Sequence, residues 1–185
     1  MRAEERVQYS VFKRLVNGDL SVENAVIKYK NFSGAPTNVN PAGGKRTFVL
    51  LLNEEIAEDL RMEGWNVKYK EPLEEGGYPS IYTEINVNME STYPPKVVLI
   101  TEKNGKQKPT NLKGDMVKSL DRARLENIDM IIHPYEHGRP GQYKVKGYAR
   151  AIYATQAEDT YFDGKYSNLD DYEEEDNFNY NEEAF

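Results

Sequence analysis

The chain opens with apolar residues at helical spacing. Val7, Val11 and Leu15 stand four apart, with Phe12 and Val16 beside them. This predicts an amphipathic helix over 2–17, stopped at Asn17-Gly18. Such a helix suits docking on the body or self-association. The period then shortens to two. Val22 to Phe32 reads as strand, and 33–45, with two prolines and three glycines, as a loop. Arg46 to Leu52 is apolar on both faces, which predicts a central buried strand. Asn53 caps a helix that Gly64 ends, with Ile56, Leu60 and Met62 as its buried side. Trp65 to Lys70 predicts a strand with aromatic and basic residues interleaved, and 71–80 an acidic loop.

From Ile81 to Met89 the alternation is regular, with Ile81, Thr83, Ile85, Val87 and Met89 inward. Lys96 to Thr101 predicts a buried strand, 103–113 a polar basic loop, and Met116, Leu120 and Ala123 a short helix. Ile128 to Tyr135 is the next strand, closed by EHGRPG. The last, QYKVKGYARAIYAT, has the clearest alternation. Tyr143, Val145, Gly147, Ala149, Ala151 and Tyr153 point one way, and Lys144, Lys146, Tyr148, Arg150 and Ile152 the other. The first face is small and apolar. The second carries three cations around a ring. Cations neutralise phosphates and a flat ring stacks on an unpaired base, the two devices of single-stranded nucleic-acid grooves. The plainer alternative is a solvated strand face, where Lys and Arg are common.

Six or seven strands with two short helices over 22–155, and no βαβ repeat, predict a mainly β fold. An OB-like antiparallel barrel with short helices fits best. The organisation read from sequence is an N-terminal helical extension over 1–21, a domain over 22–156 and an acidic, disordered C-terminal tail over 157–185.

Charge sharpens this division. The net charge is −7, yet residues 1–156 carry 23 Lys and Arg against 20 Asp and Glu, while 170–185 carry eight acids and no base. A mildly basic body with a strongly acidic end is the pattern of a nucleic-acid binder with an interaction tail. Tyr172, Phe178, Tyr180 and Phe185 punctuate the acids. There is no cysteine, no apolar run of membrane-spanning length and no signal-peptide core at the start. The expectation is a soluble protein of the cytoplasm.

Catalytic chemistry finds no foothold. Gly43-Gly44-Lys45-Arg46 lacks the first glycine and the Ser/Thr of a phosphate-binding loop, and a strand follows it. His133 and His137 stand four apart, but Pro134 and the strand pattern remove the helix that would bring them together on a metal. With no Cys and no Ser-His-Asp spacing there is no nucleophile. The reading is a non-enzyme with no cofactor and no metal.

The segments NFSGAPTNVNPAGGKRTFVLLLNEEIAEDLRMEGWNVKYKEP, PPKVVLIT, LENIDMIIHPYEH and YKVKGYARAIYAT together resemble bacteriophage single-stranded DNA-binding proteins with an OB fold. Gly-Gly-Lys-Arg-Thr-Phe and Gly-Trp-Asn-Val-Lys are the most specific parts. The acidic end closing on Ala184-Phe185 also resembles tails that recruit replication and recombination enzymes, although the common bacterial ending has Pro before the last Phe. The resemblance implies a protein that coats single-stranded DNA during phage replication or recombination. Phosphate contacts are expected from Lys28, Lys30, Lys45, Arg46, Lys68, Lys70, Lys144, Lys146 and Arg150. Stacking is expected from Phe32, Trp65, Tyr69, Tyr82 and Tyr148. Partner proteins would be met through Asp176, Glu182, Glu183 and Phe185. The alternative is a virion or regulatory interaction module with an acidic tail.

Overall fold

A computed structural model of the chain describes residues 1–158. The elements run α1 (Ala3–Arg6), a 3₁₀ turn (Val7–Tyr9), β1 (Val11–Arg14), β2 (Leu20–Glu23), β3 (Ile27–Asn31), β4 (Thr47–Leu51), α2 (Glu54–Glu63) and β5 (Lys68–Lys70). They continue β6 (Ser80–Asn86), β7 (Lys96–Lys103), β8 (Lys106–Leu112), a 3₁₀ helix (Gly114–Asp121), β9 (Leu125–His137) and β10 (Lys144–Gln156). Of the tail, residues 159–185 lie outside the described residues.

The fold is mainly β. Its main ladder runs β1-β2-β9-β10-β6-β4-β3, with β5 on β6 and the β7–β8 hairpin on β10. The sheet is mixed and does not close into a barrel: β10 runs parallel to β6 and to β7, while the other pairs are antiparallel. β10 is the spine. One edge pairs with β9 along its length, and the other pairs first with β6 at Gly147 and Tyr148, then with β7 from Ala151 to Thr155.

The main apolar core lies beneath, built from Leu50, Leu60, Ile85, Leu120, Ile132 and Ile152 among others, and a smaller cluster of Val7, Val26 and Leu51 sits beside the N-terminal segment. Local signals are obeyed where they are strong. The Asn53 side chain accepts from the Ile56 amide at 2.9 Å, and Gly64 closes α2 at φ 103°. All five residues read as inward on the β6 segment are buried.

Three expectations need correction. The helix over 2–17 shrinks to α1 and one 3₁₀ turn, because Val11–Arg14 pairs with β2 instead. Sheet pairing, Phe12 opposite Val22, outweighs the helical spacing, and Val11 and Val16 end up exposed. The loop over 103–113 is a hairpin, turning at Asn104-Gly105, both at positive φ, which is what a two-residue hairpin turn demands. Finally, Met62 and Met116 are exposed, and Ala57 and Val117 take the buried positions beside Leu60 and Leu120.

Candidate nucleic-acid interface

The outer face of β9 and β10 carries the stripe that the sequence placed on β10. Lys144, Lys146 and Arg150 are exposed and Tyr148 is half-buried, while Val145, Gly147 and Ala149 are buried beneath them. The antiparallel register sets Lys144 opposite His137, Lys146 opposite Tyr135 and Tyr148 opposite His133. The ring of Tyr135 stacks on His137 at 6.3 Å and meets Tyr148 edge-on at 6.0 Å. Two columns of rings and cations therefore stand side by side.

The alternation breaks at Arg150. Ala149 pairs with Ile132 and Ala151 with Ile131, so β10 carries one extra residue there. This bulge flips the parity of everything after it. Ile152 is buried and Tyr153 exposed, the reverse of the simple alternation, and Tyr153 lies under the Lys96 ammonium at 5.7 Å.

Two clefts open along this face. The first, of about 590 Å³, brings together Tyr93, Pro94, His133, Tyr135, Tyr148 and Arg150. The second, of about 610 Å³, gathers Lys45, Lys68, Tyr82, His137, Lys144 and Lys146. Among the described residues Lys68, Lys144 and Lys146 have no carboxylate partner. Lys45 pairs with Glu84 at 3.1 Å with both side chains half-exposed, so water and salt weaken the pair. Lys70 and Tyr82 continue the face into a smaller cavity shared with Lys28, Tyr29 and Tyr78. Tyr69 is exposed opposite Ile81 on β5 and lines neither cleft.

Five of the expected contact residues are spent on the fold. Phe32 is core: it is 1% exposed and stacks on Phe48 at 5.6 Å. Trp65 is 4% exposed, its indole N–H donating to Glu63 at 3.1 Å, while Glu63 also pairs with Arg14. A Cβ on Gly147 would stand 2.5 Å from the Trp65 ring, so the missing side chain of Gly147 is the room that ring occupies. Lys30 donates to the carbonyls of Leu120 and Ala123 at 2.8 and 2.9 Å, tying off the end of the 3₁₀ helix. Burial pushes its ammonium below the usual lysine range, against the attraction of Asp121. The Arg46 guanidinium donates to the Phe32 carbonyl at 2.7 Å and reaches Asp115 at 3.4 Å. Lys28 pairs with Glu4 at 2.6 Å and Ser80 donates to the same carboxylate at 2.7 Å, pinning the N-terminal segment to the sheet. The hydrogen bond from Lys28 is the main reason the Glu4 carboxyl titrates at about 2, with Ser80 assisting against burial.

Lys45, Lys68, Tyr82, Lys144, Lys146, Tyr148 and Arg150 thus share one face. Asp176, Glu182, Glu183 and Phe185 lie outside the described residues. The sequence reading left Tyr135 and Tyr93 out. Tyr135 was within reach: in IDMIIHPYEH the buried Ile128, Met130 and Ile132 alternate with outward Ile131, His133, Tyr135 and His137. Among the described residues no three acidic or imidazole side chains gather as metal ligands would.

Residues 8–183 match the family model described as "Putative phage ssDNA-binding domain". The chain belongs to this phage ssDNA-binding domain family. No curated protein matches the chain. Among solved structures, the single-stranded DNA-binding protein from bacteriophage Enc34 in complex with ssDNA is similar at 10% identity and TM-score 0.49, covering 81% of this chain and 93% of that one. The same phage protein without DNA is similar at 8% identity and TM-score 0.47, over 81% of this chain and 87% of that one. The β9–β10 face sets cations and rings side by side, the two devices of single-stranded nucleic-acid grooves.

Proposed function

We propose that this phage ssDNA-binding domain protein coats single-stranded DNA along the outer face of β9, β10 and β6, without catalysing a reaction. The observation that carries the reading is the pairing of Lys144, Lys146 and Tyr148 on β10 with His137, Tyr135 and His133 on β9. The lysines follow the phosphates, with Lys45 and Lys68 extending the track across β6. Tyr148 and Tyr135 offer faces and edges to unstacked bases, a sequence-tolerant mode because every base has a π face. The setting is phage DNA replication or recombination, in the cytoplasm of the host. The acidic segment 170–185 recruits replication or recombination proteins, with Phe185 and the carboxylates of Asp176, Glu182 and Glu183 as the docking groups.

Titration with fluorescently labelled oligo(dT) at graded salt tests the groove. Lys144→Ala with Lys146→Ala is expected to reduce the salt slope by about 1.4, about 0.7 for each lost phosphate contact. An unchanged slope in the folded double variant moves the site off this face. No binding by the wild type would favour a protein-interaction module. Removing Phe185 alone is expected to spare oligo(dT) affinity and abolish pull-down of replication proteins; intact pull-down refutes the docking role.

A further inference from the structure

Asp19 sits immediately before β2, and its side chain is only 2% exposed. A buried carboxylate is costly unless it is paired and hydrogen-bonded. One oxygen is hydrogen-bonded to His133 Nδ1 at 2.8 Å; the other accepts from Asn17 Nδ2 at 3.2 Å and forms an ion pair with Arg150 Nε at 3.2 Å. The Asn17 side-chain oxygen in turn accepts from the Asp19 amide at 3.0 Å, which fixes the turn that carries it. Both basic partners line the cleft beside Tyr148, and both keep their outer halves in solvent, His133 at 44% and Arg150 at 54% exposure.

We propose that Asp19 is a positioning residue that makes Arg150 and His133 into a nucleotide clamp at the Tyr148 end of the groove. A guanidinium held through Nε presents its two terminal nitrogens as a fork, the geometry that takes a phosphodiester by two parallel hydrogen bonds. An ionised carboxylate only accepts, so Nδ1 of His133 is the donor and Nε2 is left for the ligand. Arg150 keeps the outward face of Lys146 and Tyr148, and the parity of β10 changes only after it, so its guanidinium stays beside Tyr148. Orientation, rather than added charge, is the contribution, because Asp19 offsets the charge of Arg150. A free Arg150 would still attract phosphate, but would have to be ordered on each binding event.

The inference rests on the groove reading, and the test separates the two. Oligo(dT) binding is measured across a salt series for the wild type, Asp19→Ala, the Arg150→Ala/His133→Ala double variant and the triple variant that adds Asp19→Ala. Asp19→Ala is expected to bind about tenfold more weakly, the scale of one lost hydrogen bond to a charged group, with the salt slope kept, because Arg150 retains its charge. The triple variant should bind no more weakly than the double variant, since Asp19 acts through those two side chains. Wild-type affinity in Asp19→Ala overturns the proposal. So does a triple variant tenfold weaker than the double variant, which would mean that Asp19 acts through the fold. If Asp19→Ala does not fold, Asp19→Asn serves in the same cycle: it keeps an acceptor for His133, loses the ion pair with Arg150, and is expected to show the same weaker binding. Wild type that fails to bind oligo(dT) removes the groove reading; wild type that binds alongside an unaffected Asp19→Ala removes only the clamp.

Discussion

Gly147→Ala tests why Trp65 is core and not platform. The added Cβ would lie 2.5 Å from Trp65 Cζ3, 2.8 Å from Ile85 Cδ1 and 3.1 Å from Ile132 Cγ2. Ordinary carbon contacts lie at about 3.5–4.0 Å, so the indole has to retreat by roughly 1 Å. It has little freedom to do so. Its N–H is held by Glu63 at 3.1 Å, its amide by the Leu60 carbonyl at 3.0 Å, and its backbone is bridged to Val145. Overpacking costs about 1–3 kcal/mol, and three simultaneous overlaps against an anchored ring place this one near 3. For a body of this size that lowers the melting temperature by about 6–12 °C. Thermal unfolding followed by circular dichroism reads the shift. Trp65→Phe removes the atom that clashes, so it should cost less in the Gly147→Ala background than in the wild type, a coupling of about 1–2 kcal/mol between contacting residues. Below its melting point Gly147→Ala should keep the wild-type salt slope on oligo(dT), because Lys146 and Tyr148 point away from the overlap. A Gly147→Ala protein that melts within a degree of wild type would refute the reasoning: the ring would then be free to leave, and Trp65 would return as a stacking candidate.

Two further outcomes follow from the site. Tyr148→Ala and Tyr135→Ala are each expected to weaken oligo(dT) binding by about 1–3 kcal/mol with little base preference, as for lost stacking; if neither does so in a folded protein, the rings are not the platform. The Glu4 carboxyl titrates at about 2 in the fold against 4.5 ordinarily, so its stabilising contribution is complete above pH 4.5 and is lost as the pH falls towards 2. The melting-temperature difference between wild type and Glu4→Gln should therefore be constant from pH 5 to 7 and shrink towards pH 2; a difference that grows on acidification contradicts the pairing with Lys28.

The sequence by itself determined whatever depends on a residue and its near neighbours. The cap at Asn53, the stop at Gly64, the faces of β6 and the stripe Lys144-Lys146-Tyr148 follow from dihedral preference and from the two-residue period of a strand, and both are local. The Asn104-Gly105 turn carries a local signal too, but 103–113 reads as a loop because its strand is polar and exposed, with no buried face to set a two-residue period. Tertiary structure decided which cations and rings are available to a ligand. Lys30 is consumed by carbonyls 90 and 93 residues away, Arg46 by the Phe32 carbonyl and Asp115, and Phe32 by Phe48. No local pattern records such partners, because a lysine that caps a distant helix has the same neighbours in sequence as one that waits for a phosphate. The bulge at Arg150 is of the same kind. One extra residue opposite Ile131 and Ile132 is visible only once β9 lies alongside, and it reverses the faces of Ile152 and Tyr153. Strand parity is a local property only until pairing inserts a residue, and pairing is set by the partner strand.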